Sequence, residues 1–576
     1  MKRWVYRGYD APAAERLTKE AGVTPLLGVL LAQRGITDPD EALRFLRPEI
    51  SQLHDPYAMR GMRETVDRIR QAIAQQEKIL LYGDYDVDGT VSIVLLRSVI
   101  ELAGGQADFH VPHRVREGYG MRTEVIEKAA ADGVRLIITA DNGIRENEVV
   151  ERANELGVNV IITDHHLPKK IMPAAFAVLN PNQPDCGYPD KNLCGAGVVF
   201  KLAQALFTDL GWEPAKRDRV LTSLLKMVAI ATIADMVPLK GENRIFAKLG
   251  LEGLRSPQNL GLKALIGVSG LSVSKKLGAG DVGFRIGPRL NAAGRLDDAR
   301  AVIELFSAQT QDEVARLAGH LDLLNSRRQS IEESIVNKSL EQLGDVAGPD
   351  EMPFLVVDGD DWHAGVIGIV ASRIVERFHR PALVLSRDPA SGLATGSGRS
   401  IPSFHLLQAL ESTADLFTRF GGHRQAAGCT LPGDRIPELR KRLNEHARGI
   451  LSAEDFVPVL SLDKEISLSD VNEPTLAELG RLAPFGLGNP TPKFCVRGAM
   501  LLAEPEILKM RHVKMRLGVA DDALSAVAWR MAEYVNGIGA GSSLDVAFSI
   551  ERDDYRGGLR LNVDDFRPAE KKVAVA

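Results

Sequence analysis

Three aspartates, Asp84, Asp86 and Asp88, alternate along the stretch ILLYGDYDVDGTVS, directly after an apolar run. Carboxylates this close repel one another, so the pattern asks for a compensating positive charge. Two later apolar runs end in the same kind of residue. TADNG supplies Asp141, and TDHH supplies Asp164, His165 and His166. A further carboxylate, Asp235, lies in the apolar pattern MVAIATIADMV. Buried there it needs a partner, for which a metal ion and a helix cap are the two candidates. Carboxylate oxygens with one or two imidazoles suit Mg²⁺ or Mn²⁺ better than a thiolate metal. Several such groups together suit a two-ion centre, with ions roughly 3.5–4 Å apart. A single Asp after a strand more often caps the next helix or makes a turn, and Asn142-Gly143 is an ordinary turn pair. A lone His-His pair is more often surface or core. Recurrence at three run ends is what favours a site. Adjacent histidines point in different directions, so His165 is expected as the ligand and His166 to face a substrate phosphate.

The surrounding pattern must bring these positions together. ILLY, ADFHVP, RLIITAD, NVIITD and FAVLNPN read as strands, separated by helical stretches that end at Gly105, Gly133 and Gly157. This βα alternation predicts an α/β fold with a parallel sheet and helices on both faces. The carboxyl edge of such a sheet is where ligands bind, so the distant carboxylates are expected to converge on one crevice. Residues 195–254 read as mostly helical, 285–296 (RIGPRLNAAGRL) as a basic loop, and 311–343 as a long amphipathic connecting helix. A second α/β unit runs from about residue 350 to 450. Short alternating apolar runs after 455 predict a small β-barrel. The domain expectation is therefore a helical arm at 1–50, a catalytic domain at 51–305, a connecting helix at 306–345, a second α/β domain at 350–450 and a barrel at 455–570. The closing AEKKVAVA reads as a tail.

Composition narrows the class. The chain has 576 residues, 45% of them hydrophobic, with 71 basic against 76 acidic side chains and a net charge of −5. A uniformly basic coat is excluded, although a local basic channel is not. Four cysteines without a CxxC pair predict a reducing compartment without structural disulfides. The start, MKRWVYRGYDAP, lacks the apolar core of a signal peptide, and the most apolar stretch is too short to span a bilayer. The expectation is a soluble, cytoplasmic protein. Two competing motifs fail. DVDGT matches a haloacid-dehalogenase phosphatase signature, with Asp86 as nucleophile and Asp88 as acid/base. Its acidic partner motif, VDGDD at Val357–Asp361, would lie far outside one ordinary domain, and Asp141 and the DHH run would go unexplained. A Walker A loop fails because no lysine precedes Thr90.

GDYDVDGT, TADNG, TDHH and ATIADMVPL, in that order, resemble the four motifs of the DHH phosphoesterases. FGGHRQAAG resembles the glycine-rich motif of the DHH-associated domain. PHRVREGYG, GPRLNAAGR, WHAGVIGIVASR, GSGRS and APFGLGNPTPKF are similar to the single-strand-specific exonuclease branch over nearly the whole chain. The resemblance implies a parallel-sheet DHH domain, a long connecting helix, an α/β DHH-associated domain and a C-terminal OB-like barrel. It implies that Asp86, Asp88, Asp141, His165 and Asp235 hold two Mn²⁺ or Mg²⁺ ions, with Asp141 bridging and Asp84 and His166 as close neighbours. Many DHH phosphatases carry a histidine four positions before the motif-one aspartates; here that position is Tyr82, a departure shared with the nuclease branch. The family's 5′-phosphate pocket maps to Ser397 and Arg399. Arg114, Arg289, Asn291 and Arg295 are further substrate candidates, and Gly422 and His423 lie where the backbone can approach substrate closely.

The implied activity is 5′-to-3′ hydrolysis of single-stranded DNA to 5′-mononucleotides, in recombination and repair. Single-strand-binding protein and a helicase are the implied partners, and a monomer the default state. In the barrel, Phe485, Phe494 and Trp529 are candidate base-stacking platforms, with core packing as the ordinary alternative. Two other readings stay open: a phosphodiesterase for short oligonucleotides or cyclic dinucleotides, and a catalytically silent DNA-binding scaffold.

Overall fold

The run Lys78–Gly83 forms the second strand of a five-stranded sheet, and both faces of that sheet are covered. Ile79 and Leu81 join one core cluster, while Leu80 and Tyr82 join another on the opposite face. Two-sided burial is why the run is apolar throughout rather than alternating. The structure is a computed structural model and describes residues 2–114, 116–118, 120–344, 351–519, 522–553 and 557–569. The AEKKVAVA tail beyond residue 569 lies outside the described residues. All five strands are parallel, in the order Ala107–His110, Lys78–Gly83, Val134–Ala140, Asn159–Thr163, Ala177–Leu179. Helices Met62–Ala74, Val87–Leu102 and Gly195–Asp209 contribute to one core, and Thr123–Ala131 and Asn147–Glu155 to the other.

The chain separates into two compact units, residues 49–456 and residues 1–48 with 457–576. In the first unit, residues 285–296 do not form the expected loop. A π-helical turn, Val282–Ile286, runs into the α-helix Gly287–Leu296. Pro288 falls in the first turn after the π segment, and Leu290, Ala292 and Ala293 form a buried face. The proline and two glycines hid that face in the sequence. The helix Gln311–Leu343 is 33 residues long and so spans about 50 Å. Val314, Leu317, Leu321 and Leu324 enter the core beneath the parallel sheet, whereas Ile335 and Leu343 pack with Val366, Ile367 and Val370 of the following α/β layer. One rigid element thereby joins two cores. The second sheet runs Arg419–Gly422, Ala426–Pro432, Leu393–Arg399, Ala382–Arg387, Leu355–Asp360, antiparallel except for its last pair.

The other unit contains a seven-stranded sheet in the order Lys464–Glu465, Phe494–Leu501, Ser543–Arg552, Leu559–Pro568, Asp522–Ala528, His512–Val519, Glu506–Leu508. An added pairing of Phe494–Leu501 with His512–Val519 curls it into the expected barrel. Phe494 and Phe548 are fully buried inside it, so Phe494 is core and not a stacking platform. Phe485 is half-buried against the same core, while Trp529 is exposed beside His512. The first residues are not all helical. Arg3–Tyr6 is a strand that pairs in parallel with Val459–Leu462. Arg34 is buried and donates to Asn489 Oδ1 at 2.7 Å and to the Pro490 carbonyl at 2.8 Å. Asn489 in turn donates to the Leu482 and Pro484 carbonyls. The APFGLGNPTPKF stretch therefore anchors the N-terminal helices of this unit.

Candidate metal centre and phosphate-binding cluster

The order of the parallel sheet reverses between Lys78–Gly83 and Val134–Ala140, and the carboxyl ends of these two strands hold the acidic residues. Asp84 follows the first directly and is buried. Asp86 caps the helix Val87–Leu102, accepting from the Gly89 N–H at 3.1 Å. Asp88, in the first turn, accepts from the N–H groups of Gly195 (2.6 Å) and Ala196 (2.9 Å). These open the helix Gly195–Asp209, whose terminus favours a carboxylate. A Cβ at Gly195 would lie 2.8 Å from Asp141 Cβ and 3.1 Å from Asp88 Oδ2, so only glycine permits this approach. Asp141 follows the second strand with φ +62°, while its N–H donates to the Thr163 carbonyl. That left-handed conformation costs energy in a non-glycine residue, and Asp is among the few that tolerate it.

His165 and His166 do not diverge. Their ring centroids are 4.5 Å apart, and both approach Asp141 Oδ1, His165 Nε2 at 3.1 Å and His166 Nδ1 at 3.6 Å. The reason is Asp164, which the sequence pattern placed at the same run end without a role of its own. Its buried carboxylate accepts from the N–H groups of Ile144, His165 and His166 and pairs with His166 Nδ1 at 2.8 Å. Burial alone would raise this carboxyl, but the His166 bonds hold it below its usual range. Burial also opposes charge on His166, yet Asp164 lifts that imidazole above its ordinary value. His165 is pushed down by burial, which keeps it a neutral donor. Asp164→Ala would strand these buried N–H groups. It is expected to destabilise the protein by about 2–4 kcal/mol, seen as a lower urea midpoint.

The acidic residues converge as a cation cradle. Ligand atoms lie within 4.8 Å of one another in three groups: Asp84, Asp86 and Asp141; Asp88, His165 and Asp235; and Asp141, His165 and His166. Asp235 closes the helix Pro214–Ala234, so the cap and ligand alternatives for this residue are compatible. Four atoms facing this space, Asp84 Oδ1, Asp141 Oδ1, His165 Nε2 and Asp235 Oδ2, are buried without an aligned hydrogen bond. Burial and then neighbouring carboxylates push Asp84 and Asp141 well above the usual carboxylate range, and Asp235 to about 9. Orphaned oxygens and strained ionisation are what hard divalent cations relieve, so this donor set fits them. Tyr82, at the position where related phosphatases carry histidine, points elsewhere. Its ring packs in the opposite core and its hydroxyl accepts from the Arg122 N–H.

Beside this centre lies a cationic cluster. Arg114 stacks over the Tyr85 ring at 4.8 Å. Arg295 is held at about 10 by burial and by the positive charges of Arg114 and Arg328, with Arg399 also contributing. Arg399 is likewise lowered by burial and by Arg114. Half-buried cations that repel one another form a natural anion site. Arg399 donates to Ser397 Oγ (3.3 Å), and Arg295 to the Gly365 carbonyl (2.9 Å), which ties the two α/β layers together. The strand carrying Ser397 and Arg399 is registered against Ala426–Gly428, so the exposed Gly422–His423 turn extends from the adjoining hairpin. Arg289 is committed elsewhere, to Asp322 at 2.8 Å and the Arg285 carbonyl. Asn291 Oδ1 accepts from the Val87 N–H at 3.2 Å and thereby steadies the first acidic loop.

Comparisons with known proteins agree with this arrangement. Family models match at residues 78–232 (DHH family, N-terminal domain), 351–449 (DHHA1 domain) and 462–565 (RecJ OB domain). The single-stranded-DNA-specific exonuclease RecJ of Bacillus subtilis is 40% identical over 554 residues, covering 96% of this chain and 69% of the relative. That of Escherichia coli is 34% identical over 94% and 95% of the two chains. The crystal structure of Thermus thermophilus RecJ in complex with Mn²⁺ superposes with TM-score 0.83 at 29% identity, covering 99% of this chain and 79% of that one. A second solved structure, exonuclease RecJ bound to manganese, matches 71% of this chain and all of its own at 33% identity, with TM-score 0.60. With the three domains matched in order and relatives of 34–40% identity aligned over more than nine-tenths of this chain, the chain belongs to the RecJ family of single-stranded-DNA-specific exonucleases.

Proposed function

We propose that this protein is a divalent-metal-dependent 5′-to-3′ exonuclease on single-stranded DNA, releasing 5′-mononucleotides in DNA recombination and repair. The observation that carries this reading is the placement of the cation cradle next to a half-buried arginine cluster, Arg114 lying over the ring between Asp84 and Asp86. Asp86, Asp88, Asp141, His165 and Asp235 would hold two Mn²⁺ or Mg²⁺ ions, Asp141 and His165 each belonging to two of the ligand groups. When bound, such ions polarise the scissile phosphate, activate a water and stabilise the leaving 3′-oxygen. The protein's own part is positional. Gly195 and Ala196 fix the Asp88 carboxylate, Asp164 fixes both imidazoles, and His166 faces the phosphate. Asp84 adds a third carboxylate beside Asp86 and Asp141. Arg114, Arg295, Ser397 and Arg399 bind the terminal 5′-phosphate and so set the length of the released product. Water attack forms one P–O bond as the P–O3′ bond breaks.

The enzyme acts in the cytoplasm as a monomer, with a single-strand-binding protein and a helicase supplying unwound strand. No helix among the described residues is long and apolar enough to cross a membrane. Incubating the protein with long 5′-phosphorylated single strands and Mn²⁺ or Mg²⁺ tests the reading. Mononucleotide release, lost in Asp141→Ala, is the expected result. Cleavage confined to dinucleotides would favour the short-oligonucleotide phosphodiesterase, and binding without cleavage the scaffold. Arg399→Ala is expected to lower kcat/KM on 5′-phosphorylated ends by about tenfold or more while leaving 5′-hydroxyl ends and metal binding unchanged. Equal kinetics on both kinds of end in wild type and variant would remove Arg399 from the pocket.

A further inference from the structure

The segment Val282–Ile286 is the π-helix among the described residues, and such turns often mark functional positions. Its wide turn keeps Val282 and Ile286 fully buried while Phe284, between them, is 85% exposed. No large hydrophobic residue described within 49–456 is more exposed. The π segment packs on the last turn of the helix Pro214–Ala234, with Gly283 against Ile233 and Gly287 against Ala234. Asp235, of the cation cradle, caps that helix. Met236 follows with φ +59°, and its side chain is 69% exposed. A methionine held in the left-handed region and turned to solvent is a strained, unburied apolar group on the helix end against which the π turn packs. Continuing from Phe284, the helix Gly287–Leu296 carries Asn291, bound to the first acidic loop, and Arg295 of the arginine cluster.

We propose that Phe284, on the π turn that packs against the helix capped by Asp235 of the acidic centre, is a platform on which one base of the single strand stacks. This rests on the exonuclease reading above. The choice of occupant follows from chemistry and continuity. The cradle and the arginines account for the phosphates, whereas an exposed uncharged ring on the turn that continues into the Arg295 helix matches the π-face that every base carries. Such a contact is tolerant of sequence and would hold the strand in register as it advances.

The test compares wild type with Phe284→Ala on 5′-phosphorylated strands bearing one abasic residue at successive positions from the 5′ end. On intact strands the variant is expected to lose about tenfold in kcat/KM. At one narrow window of positions the abasic residue should slow wild type by a similar factor and slow the variant no further. Additive losses at every position would overturn the proposal. A separate reading needs no turnover. In a Trp529→Phe background and in EDTA, Phe284→Trp should show emission quenched by an oligothymidylate beyond that of the Trp529→Phe parent, and left unchanged by an abasic strand of equal length. Equal responses to the two strands would sink the stacking contact and favour an occupant other than a base. If wild type released no mononucleotides from any strand, the exonuclease reading would fail, and the emission experiment would still decide whether a base sits at Phe284.

Discussion

Asp141→Asn is expected to reduce mononucleotide release by about 10³-fold or more. Asparagine is the informative replacement because Asp141 has φ +62°, a conformation that asparagine adopts more readily than alanine. The backbone and the Thr163 bond are thus preserved while the charge is removed. Asp141 Oδ1 lies nearest both imidazoles, and the residue belongs to two of the three ligand groups, so its loss weakens the whole cradle. The same substitution removes repulsion. Burial followed by the charges of Asp88, Asp86 and Asp235 holds the Asp141 carboxyl far above its usual range. In EDTA the variant should therefore melt at a higher temperature than wild type. With Mn²⁺ the order should narrow or reverse, because ligand binding to the folded state stabilises only the protein that binds it. A variant retaining a tenth of wild-type activity, or gaining as much stability from Mn²⁺, would place the centre elsewhere.

A site that destabilises the metal-free fold is legible in sequence when its residues have no structural reason to recur. Asp84, Asp86, Asp88, Asp141 and His165 each close an apolar run, and the carboxyl ends of parallel strands must meet at one edge. Their convergence follows from the pattern alone. Asp164 closes a run in the same way, yet it is an acceptor for neighbouring N–H groups, and sequence cannot distinguish the two uses of one residue type. The relation between the histidines was equally hidden. Alternation along a strand predicts opposite directions, but His165 and His166 lie beyond Asn159–Thr163, where Asp164 sets their geometry.

Long-range partners account for most of the remainder. Arg289 sits in a basic motif beside Arg295, and only the folded chain brings Asp322 against it. The strand Arg3–Tyr6 has a composition that fits either state, and its pairing with Val459–Leu462 decides it. Phe494 reads as a platform or as core until the barrel closes around it. The helix Gly287–Leu296 was obscured by glycines that are required for close packing rather than for turns, and its Gly294 offers a direct measure of what that packing does.

Gly294→Ala is expected to lower activity by about 10²-fold although Gly294 contacts no cation or phosphate. A Cβ there would lie 2.2 Å from the Tyr85 carbonyl oxygen and 3.2 Å from Tyr85 Cβ. Backbone cannot yield as a flexible side chain can, so the helix and the loop must separate. That loop is Asp84–Asp86, and the same displacement stretches the Asn291–Val87 bond at 3.2 Å and shifts Arg295, three groups on which the proposed chemistry depends. An error of about 1 Å at reacting groups carries a cost of this size. Gly319→Ala is the control, because a Cβ there meets nothing within 4 Å and the residue lies inside the helix Gln311–Leu343. It should leave activity unchanged and stabilise the protein by about 0.5–1 kcal/mol. The far-ultraviolet circular dichroism of both variants should match wild type, so that lost activity in Gly294→Ala reports misplacement rather than unfolding. Equal activity in the two variants would show that the loop is not held by this helix.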